Sequence, residues 1–374
     1  MERCISLWHR EMGDQILVGF SRPNFRTPIS VLEGQLSPDQ PPLYDDIPRL
    51  LKSMEDHVDT SSHPWDEIDD DTSGIPIFMP DCEFGCGVMG AMFDAPVIQY
   101  STPKHTITYN TAIVSGAEDV ARLACNPDNA FIRQVLSGLR YFVAHARKPF
   151  AIILLHALEG GDFLVAMRGE TQALLDLADG APFVDDLFQL GLESASLLFE
   201  LRRDIVIDYN VAVYGDREYA WLAPQHLQPT LDTDTDVMCS PQLFAAYGLR
   251  YKQEILNRFG GGSLYIHTRG MHLVPLAGQL QNLTQLRFCD DPNAPRAFDC
   301  RIEVRRQTFD LPLHFEGCQL AEFAAALDDR SLPGGSYYAV SVPDDTPAKE
   351  VARMVEGARA YHADELAARP KARA

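Results

Sequence analysis

From Ile75 onward, short apolar runs alternate with long amphipathic stretches. This pattern constrains the fold more than any other feature, because strands separated by helices pair in parallel. It predicts strands at Ile75–Met79, Phe150–Leu158, Asp204–Asn210, Asp236–Cys239, Ser263–His267, Gln285–Asp290, Leu311–Glu316 and Tyr337–Val342. Eight such strands favour closure into a barrel over an open doubly wound sheet. The expected fold class is α/β, a single (β/α)8 TIM barrel over residues 75–374. Residues 1–74 read as a partly irregular N-terminal extension, with loop chemistry at Pro38–Pro42 and Asp66–Asp71 and one short helix near Ile47–Val58.

The helical stretches carry their own punctuation. Glu118–Arg147 divides into two helices near Asn126-Pro127, and Gly169–Arg203 divides near Gly180-Ala181-Pro182. Further helices are expected at Pro241–Phe259, Leu273–Leu283, Ala294–Arg305, Leu320–Asp328 and Pro347–Ala368. Ser240-Pro241 and Thr346-Pro347 place proline in a first turn, where its missing N–H costs nothing. Gly260 is a left-handed stop for the Pro241–Phe259 helix.

Composition excludes several classes. The net charge of −21 disfavours nucleic acid and anionic lipid as partners. No run of about 18 apolar residues is available to span a membrane, and the first residues do not resemble a secretory leader. Eight scattered cysteines read as free thiols, consistent with a reducing cytoplasm. A homodimer is compatible with this reading.

Candidate chemistry gathers at predicted strand ends, where α/β barrels build their sites. Gly260-Gly261-Gly262 leads into Ser263–His267, which delivers His267 for proton transfer or metal and Arg269 for a substrate anion. Asp232, Asp234 and Asp236 alternate, so an extended segment would set three mutually repelling carboxylates on one face. Asp236 and Asp208 are the catalytic carboxylates expected beside His267. Arg269, Asp234, Tyr209 and His156 are expected to contact substrate. Cys82 and Cys86 form a weak thiol pair, better explained as glycine-rich loop packing. His314, Glu316 and Cys318 share a strand end, which makes His267 and Cys318 the weak metal candidates. There is no Walker lysine, dinucleotide fingerprint or serine-hydrolase elbow.

Several of these segments, taken together, resemble the superfamily of uroporphyrinogen decarboxylase and the cobamide-dependent methyltransferases, over residues 75–365. They are Ser240-Pro241-Gln242-Leu243-Phe244 with Asp236 upstream, Gly261 through Gly270, Met167-Arg168-Gly169-Glu170 with Leu175-Asp176-Leu177, and Pro343–Pro347 with Val351–Val355. The resemblance implies a (β/α)8 barrel. It also carries departures. The decarboxylases' arginine-rich N-terminal motif finds only a remote echo in Ser21–Arg26, and their histidine before the last proline segment has no counterpart in Val340–Pro343. The methyltransferases' zinc is held by His-x-Cys and a later cysteine. Here Arg269 replaces the first cysteine and no cysteine lies near Ser341, so of that triad only His267 remains.

The resemblance, with these departures, implies an atypical methyltransferase working with a corrinoid protein or a thiol acceptor, on a small anionic substrate, without the usual zinc. Decarboxylation of an acidic, tetrapyrrole-like substrate is the alternative. A barrel that binds a small molecule without chemistry is the third class.

Overall fold

The computed structural model describes residues 2–21, 47–48, 51–52, 55, 68, 70–71, 77–78, 87–101, 106–147, 150–152, 154, 159–214, 228–343 and 345–363. Its strands are β1 (Ile16–Ser21), β2 (Ile77–Phe78), β3 (Val97–Ser101), β4 (Thr106–Asn110), β5 (Ala151–Ile152), β6 (Thr230–Leu231), β7 (Gly262–His267), β8 (Leu283–Cys289), β9 (Leu313–Gln319) and β10 (Ser336–Ser341). Six of them form one parallel sheet in the order β1-β10-β9-β8-β7-β6. β2 and β5 pair in parallel with each other. β3 and β4 form an antiparallel hairpin. Among the described residues no pairing joins β1 to β2 or β5 to β6. The fold is therefore α/β, with a six-stranded parallel sheet and many helices.

The strand alternation sets two chemically different faces. Ile266, Phe288, Phe315 and Tyr338 stand in register on one face and belong to the main apolar core. Phe288 stacks on Phe315 at 5.5 Å, and Phe315 on Tyr338 at 5.4 Å. Burying side chains of this size stabilises the sheet by about 1.5–3 kcal/mol each. The opposite face carries the registered row Tyr265, Arg287, His314 and Tyr337. Leu17 continues that row and packs with Tyr337, Cys4, Leu7 and Met12, so helix Glu2–Trp8 covers this part of the sheet.

Three sequence expectations fail here for identifiable reasons. Asp204–Asn210 is not a strand; it lies in the helix Phe183–Tyr214. Arg202, Val206 and Asn210 are buried four residues apart while Asp204 and Asp208 are exposed, which is helical periodicity. The end of this helix lies along β5, where the Asn210 amide donates to the Ile152 carbonyl at 2.7 Å and accepts from its N–H at 3.0 Å. Asp236–Cys239 is not a strand either: Asp236–Met238 is a short 3-10 turn, and the strand in that region is β6, five residues earlier. Finally, the lead-in expected over residues 1–74 contributes β1, which pairs with β10 along its whole length.

Other boundaries hold. Helix Ala130–His145 follows the break at Asn126-Pro127, with Asn129 capping Phe131 N–H. Helices Glu170–Asp179 and Phe183–Tyr214 divide at Gly180, and Gly260 closes helix Leu249–Phe259 at φ 69°. Helices Val274–Ala277, Arg301–Thr308 and Ala348–Arg359 are shorter than, or displaced from, the spans expected for them. Cys82, Cys86, His156 and residues 22–26 lie outside the described residues.

Candidate functional site

The carboxyl ends of β6, β7 and β8 lie side by side and release their polar residues together. β6 passes into Asp232, β7 ends at His267, and β8 passes into Asp290 and Asp291. His267 is held from both sides. Its Nδ1 lies 2.8 Å from Asp291 Oδ1 and its Nε2 lies 2.9 Å from Asp234 Oδ1. Asp291 is itself fixed, because its Oδ2 accepts from the Arg269 N–H at 3.0 Å and its own N–H donates to Thr268 Oγ1 at 2.8 Å. The hydrogen bond to Asp234, followed by that to Asp291, lifts the imidazole to about 9 against the opposing effect of burial. At neutral pH His267 is therefore an imidazolium clamped between two carboxylates. The same partnership lowers the Asp291 carboxyl, through the Arg269 amide and then His267, despite its partial burial. One ligand atom each from Asp232, Asp234 and His267 lies within 4.8 Å of the others.

Beneath this rim sits a buried ionic cluster that the sequence does not announce. Glu159, Asp162, Asp232 and Asp236 are 0%, 8%, 3% and 3% exposed, and the lysine among them, Lys252, is 0% exposed. Lys252 Nζ donates to Glu159 Oε1 at 2.7 Å and to the Asp232 carbonyl at 2.6 Å, and pairs with Asp236 Oδ2 at 2.9 Å. Asp162 Oδ1 accepts from the Thr235 N–H at 2.7 Å. The second oxygens, Glu159 Oε2 and Asp162 Oδ2, have no hydrogen-bond partner among the described residues.

The electrostatics follow from this shortage of cations. Burial pushes Glu159 up to about 7, with Lys252 pulling the other way and Asp236 and Asp232 adding to the rise. Asp162 rises well above the ordinary carboxyl range, first through burial and then through Asp232 and Asp236. Lys252 rises as well: the charges of Asp236 and Glu159 outweigh its desolvation. Both partners of the Lys252–Glu159 contact move upward, which resolves if the lysinium is matched chiefly by Asp236 while Glu159 and Asp162 hold protons. Burying four bare carboxylates against one ammonium would otherwise be prohibitive.

The helix that carries Lys252 is shaped for this. Ser240 caps its first turn, Phe244–Gly248 is a π-helical turn, and Leu249–Phe259 continues as α-helix. A π-turn re-aims the residues beyond it and recurs at functional sites. Gly248 sits in that turn against Phe244 and Asp236 Oδ1, where a Cβ would lie 2.5 Å from Phe244 Cδ2.

The row Tyr265, Arg287, His314 and Tyr337 on the opposite face of the sheet extends the polar surface. Arg287 donates to Glu316 Oε1 at 2.7 Å and lies 5.4 Å above the Tyr265 ring. His314 is fully buried and driven well below its ordinary range by burial and by Arg287. It is neutral, so its 4.0 Å approach to Glu316 is not an ion pair.

The expected site residues thus divide. His267, Asp234 and Asp236 come together at the strand ends, with Asp236 facing the buried lysine. Arg269 is at the rim but exposed, its guanidinium donating to the Pro292 carbonyl at 3.3 Å. Asp208 is exposed on helix Phe183–Tyr214, and Tyr209 packs against Phe150 at 6.0 Å, so neither stands at a strand end. Cys318 is buried, its thiol pushed up by burial and directed to the Phe315 carbonyl at 3.6 Å, which does not suit a metal thiolate. His156 lies outside the described residues. Sequence reading missed Glu159, Asp162, Lys252 and Asp291. A lysine among the core positions of an amphipathic helix was the available signal for Lys252.

The usual thiolate zinc does not fit this centre. The three donor groups brought together are an imidazole and two carboxylates, with no thiol among them.

No protein-family model matches the chain, and no curated protein matches it. Among solved structures, a methyltransferase from Methanosarcina mazei is similar in fold, with a TM-score of 0.56 over 95% of this chain and 97% of that one, at 12% sequence identity. No helix among the described residues is long and apolar enough to cross a membrane.

Proposed function

We propose that this chain is an atypical methyltransferase of the uroporphyrinogen decarboxylase-like superfamily, a closed (β/α)8 barrel that moves a methyl group between a corrinoid protein and a small anionic thiol. The observation that carries this reading is the fold likeness to a methyltransferase along nearly the whole of both chains. The polar cluster at the strand ends, where such folds place their chemistry, agrees with it. Closure would bring β1 to β2 and β5 to β6, completing eight parallel strands.

In this reading the thiol sulfur would take the methyl group as the methylcorrinoid's cobalt–carbon bond breaks, the bonding pair would stay with the corrinoid, and the thiol would lose its proton. Asp234, exposed beside His267, is placed to receive that proton. The His267 imidazolium supplies local positive charge to an otherwise acidic surface, and Arg269 at the rim draws in the substrate's anionic group. No step is assigned to zinc, because no thiol stands among the donors gathered with His267 in the described residues.

The buried acids favour one competing reading. Burial raises the Glu159 carboxyl to about 7 and the Asp162 carboxyl well above its ordinary range, so both can carry a proton near neutral pH, and a decarboxylase needs a proton donor for the carbanion it creates. Incubation of the full chain with methylcobalamin and a panel of anionic thiols separates the two. Loss of the methylcobalamin spectrum with formation of the S-methyl product, diminished in His267→Gln, is the expected result. Carbon dioxide release from a tetrapyrrole carboxylate without methyl transfer would establish the decarboxylase instead. Saturable binding without either product would leave the non-catalytic class.

A further inference from the structure

We infer that Asp232, Asp234 and His267 form a binding site for one first-row divalent cation of the Mn2+, Fe2+ or Zn2+ type, built on oxygen and nitrogen donors. The three groups come from two adjacent strand ends, and a ligand atom of each lies within 4.8 Å of the others. Two carboxylates and one imidazole suit a cation between hard and soft; an all-oxygen cage would suit Mg2+ or Ca2+, and thiolates would suit a zinc or iron–sulfur site.

Two further features point to the same ligand. The first is orientation. Asp291 holds His267 Nδ1 at 2.8 Å and is in turn anchored by the Arg269 N–H and Thr268 Oγ1. A carboxylate on one imidazole nitrogen, leaving the other to face the donors, is the arrangement that orients metal-bound histidines. Asp234 now occupies that second nitrogen, 2.9 Å from Nε2. Its side chain is 60% exposed and free to share an ion instead. The second feature is charge. In the buried cluster next to it, Asp162 Oδ2 and Glu159 Oε2 have no hydrogen-bond partner among the described residues, and even with protons on Glu159 and Asp162 the two remaining buried carboxylates, Asp232 and Asp236, outnumber the one lysine, Lys252. A divalent ion at the rim would offset that excess.

The neighbouring buried cluster comes from Glu159 just before helix Gly160–Arg168, Asp162 on that helix, Lys252 on helix Leu249–Phe259 and Asp236 in the turn after β6. They hold no place in the ligand set; Lys252, through the Asp232 carbonyl at 2.6 Å, positions the segment that carries two of the ligands.

Ion binding goes beyond the proposed reaction: the ion would displace the His267 proton and engage Asp234, taking over the positive charge that the imidazolium supplies in the ion-free site, and uptake can be measured whether the chain transfers methyl groups, removes carboxylates or only binds. The test is equilibrium dialysis of the chelator-treated full chain against Mn2+ or Zn2+, with metal analysis and titration calorimetry. One ion per chain is expected. Asp234→Asn, exposed and tolerant of change, and His267→Gln each weaken binding at least about tenfold, the lower end of what loss of even an orienting group costs. Asp291→Asn weakens it by about 10–100-fold, as loss of an orienting carboxylate does. Asp204→Asn, exposed on helix Phe183–Tyr214, leaves affinity unchanged. Circular dichroism confirms that each variant is folded. The Co2+-loaded protein should lack a sulfur-to-cobalt charge-transfer band. The inference is overturned by the absence of a stoichiometric ion, by full binding in both Asp234→Asn and His267→Gln, or by a strong sulfur-to-cobalt band.

Discussion

Replacing Glu159 with glutamine isolates the energetics of the buried cluster. The substitution keeps the shape and leaves an oxygen to accept from Lys252, while removing the ability to ionise. Glu159 is fully buried, and its carboxyl is displaced from an ordinary 4.5 to about 7. A carboxyl raised in the folded state stabilises below its unfolded value and loses that contribution as pH rises through its folded value. At about 1.36 kcal/mol for each tenfold change, the displacement corresponds to about 3 kcal/mol. Wild-type stability should therefore fall between about pH 4.5 and 7 by up to that amount relative to Glu159→Gln. Below pH 4.5 the two proteins should be nearly equal, and at pH 8 the variant should be the more stable. Denaturant midpoints from pH 4 to 8.5, with unchanged slopes, measure this directly. If the two pH curves run parallel, or if the variant is less stable throughout, then Glu159 is an ionised partner of Lys252 and the assignment of protons in the cluster is wrong.

Removing the cation should do the opposite: Lys252→Met leaves Asp236 without its buried partner and should cost about 3–5 kcal/mol in chemical denaturation at pH 7, with the loss shrinking as the acids protonate at lower pH. His267 carries a raised value of about 9 against an ordinary 6.5. Its ion pairs thus stabilise fully below about pH 6.5 and fade as pH rises through 9, so thermal melts of His267→Gln should lack that decline. Gly248→Ala forces a Cβ to within 2.5 Å of Phe244 in the π-turn and should cost about 1–3 kcal/mol as an overpacked site. Arg269→Ala should change stability by at most about 1 kcal/mol, as for an exposed charge, yet weaken anionic ligands in titration; unchanged affinity would remove Arg269 from the substrate's path.

Much of the framework was legible because it rests on local rules. Strands β7 to β10 announce themselves as apolar runs bounded by turn residues, and Gly260, Ser240-Pro241 and Gly180 mark helix ends by backbone chemistry alone. His267 could be placed at a strand end for the same reason. The segment Asp204–Asn210 misled because Ile205-Val206-Ile207 satisfies a strand and a helix equally over so few residues; burial at Arg202, Val206 and Asn210 decides for the helix. β1 was missed because a six-residue strand preceded by a short helix lacks the amphipathic context that the later units supply. Asp208 and Tyr209 fell with the strand that was to present them.

What the sequence determined by itself was the α/β class and the polar character of the turn after β7. What the tertiary structure decided was which charges meet. Glu159, Asp162, Asp236 and Lys252 are spread over 93 residues between the two members of the Lys252–Glu159 contact, and Asp291 reaches His267 across 24 residues. Parallel pairing of β6, β7 and β8 sets their carboxyl ends side by side, so loops remote in the chain converge on one rim. Linear spacing carries no record of that convergence. The shifted acidities arise from it, because burial and neighbouring charge are properties of the assembled packing and not of any single segment.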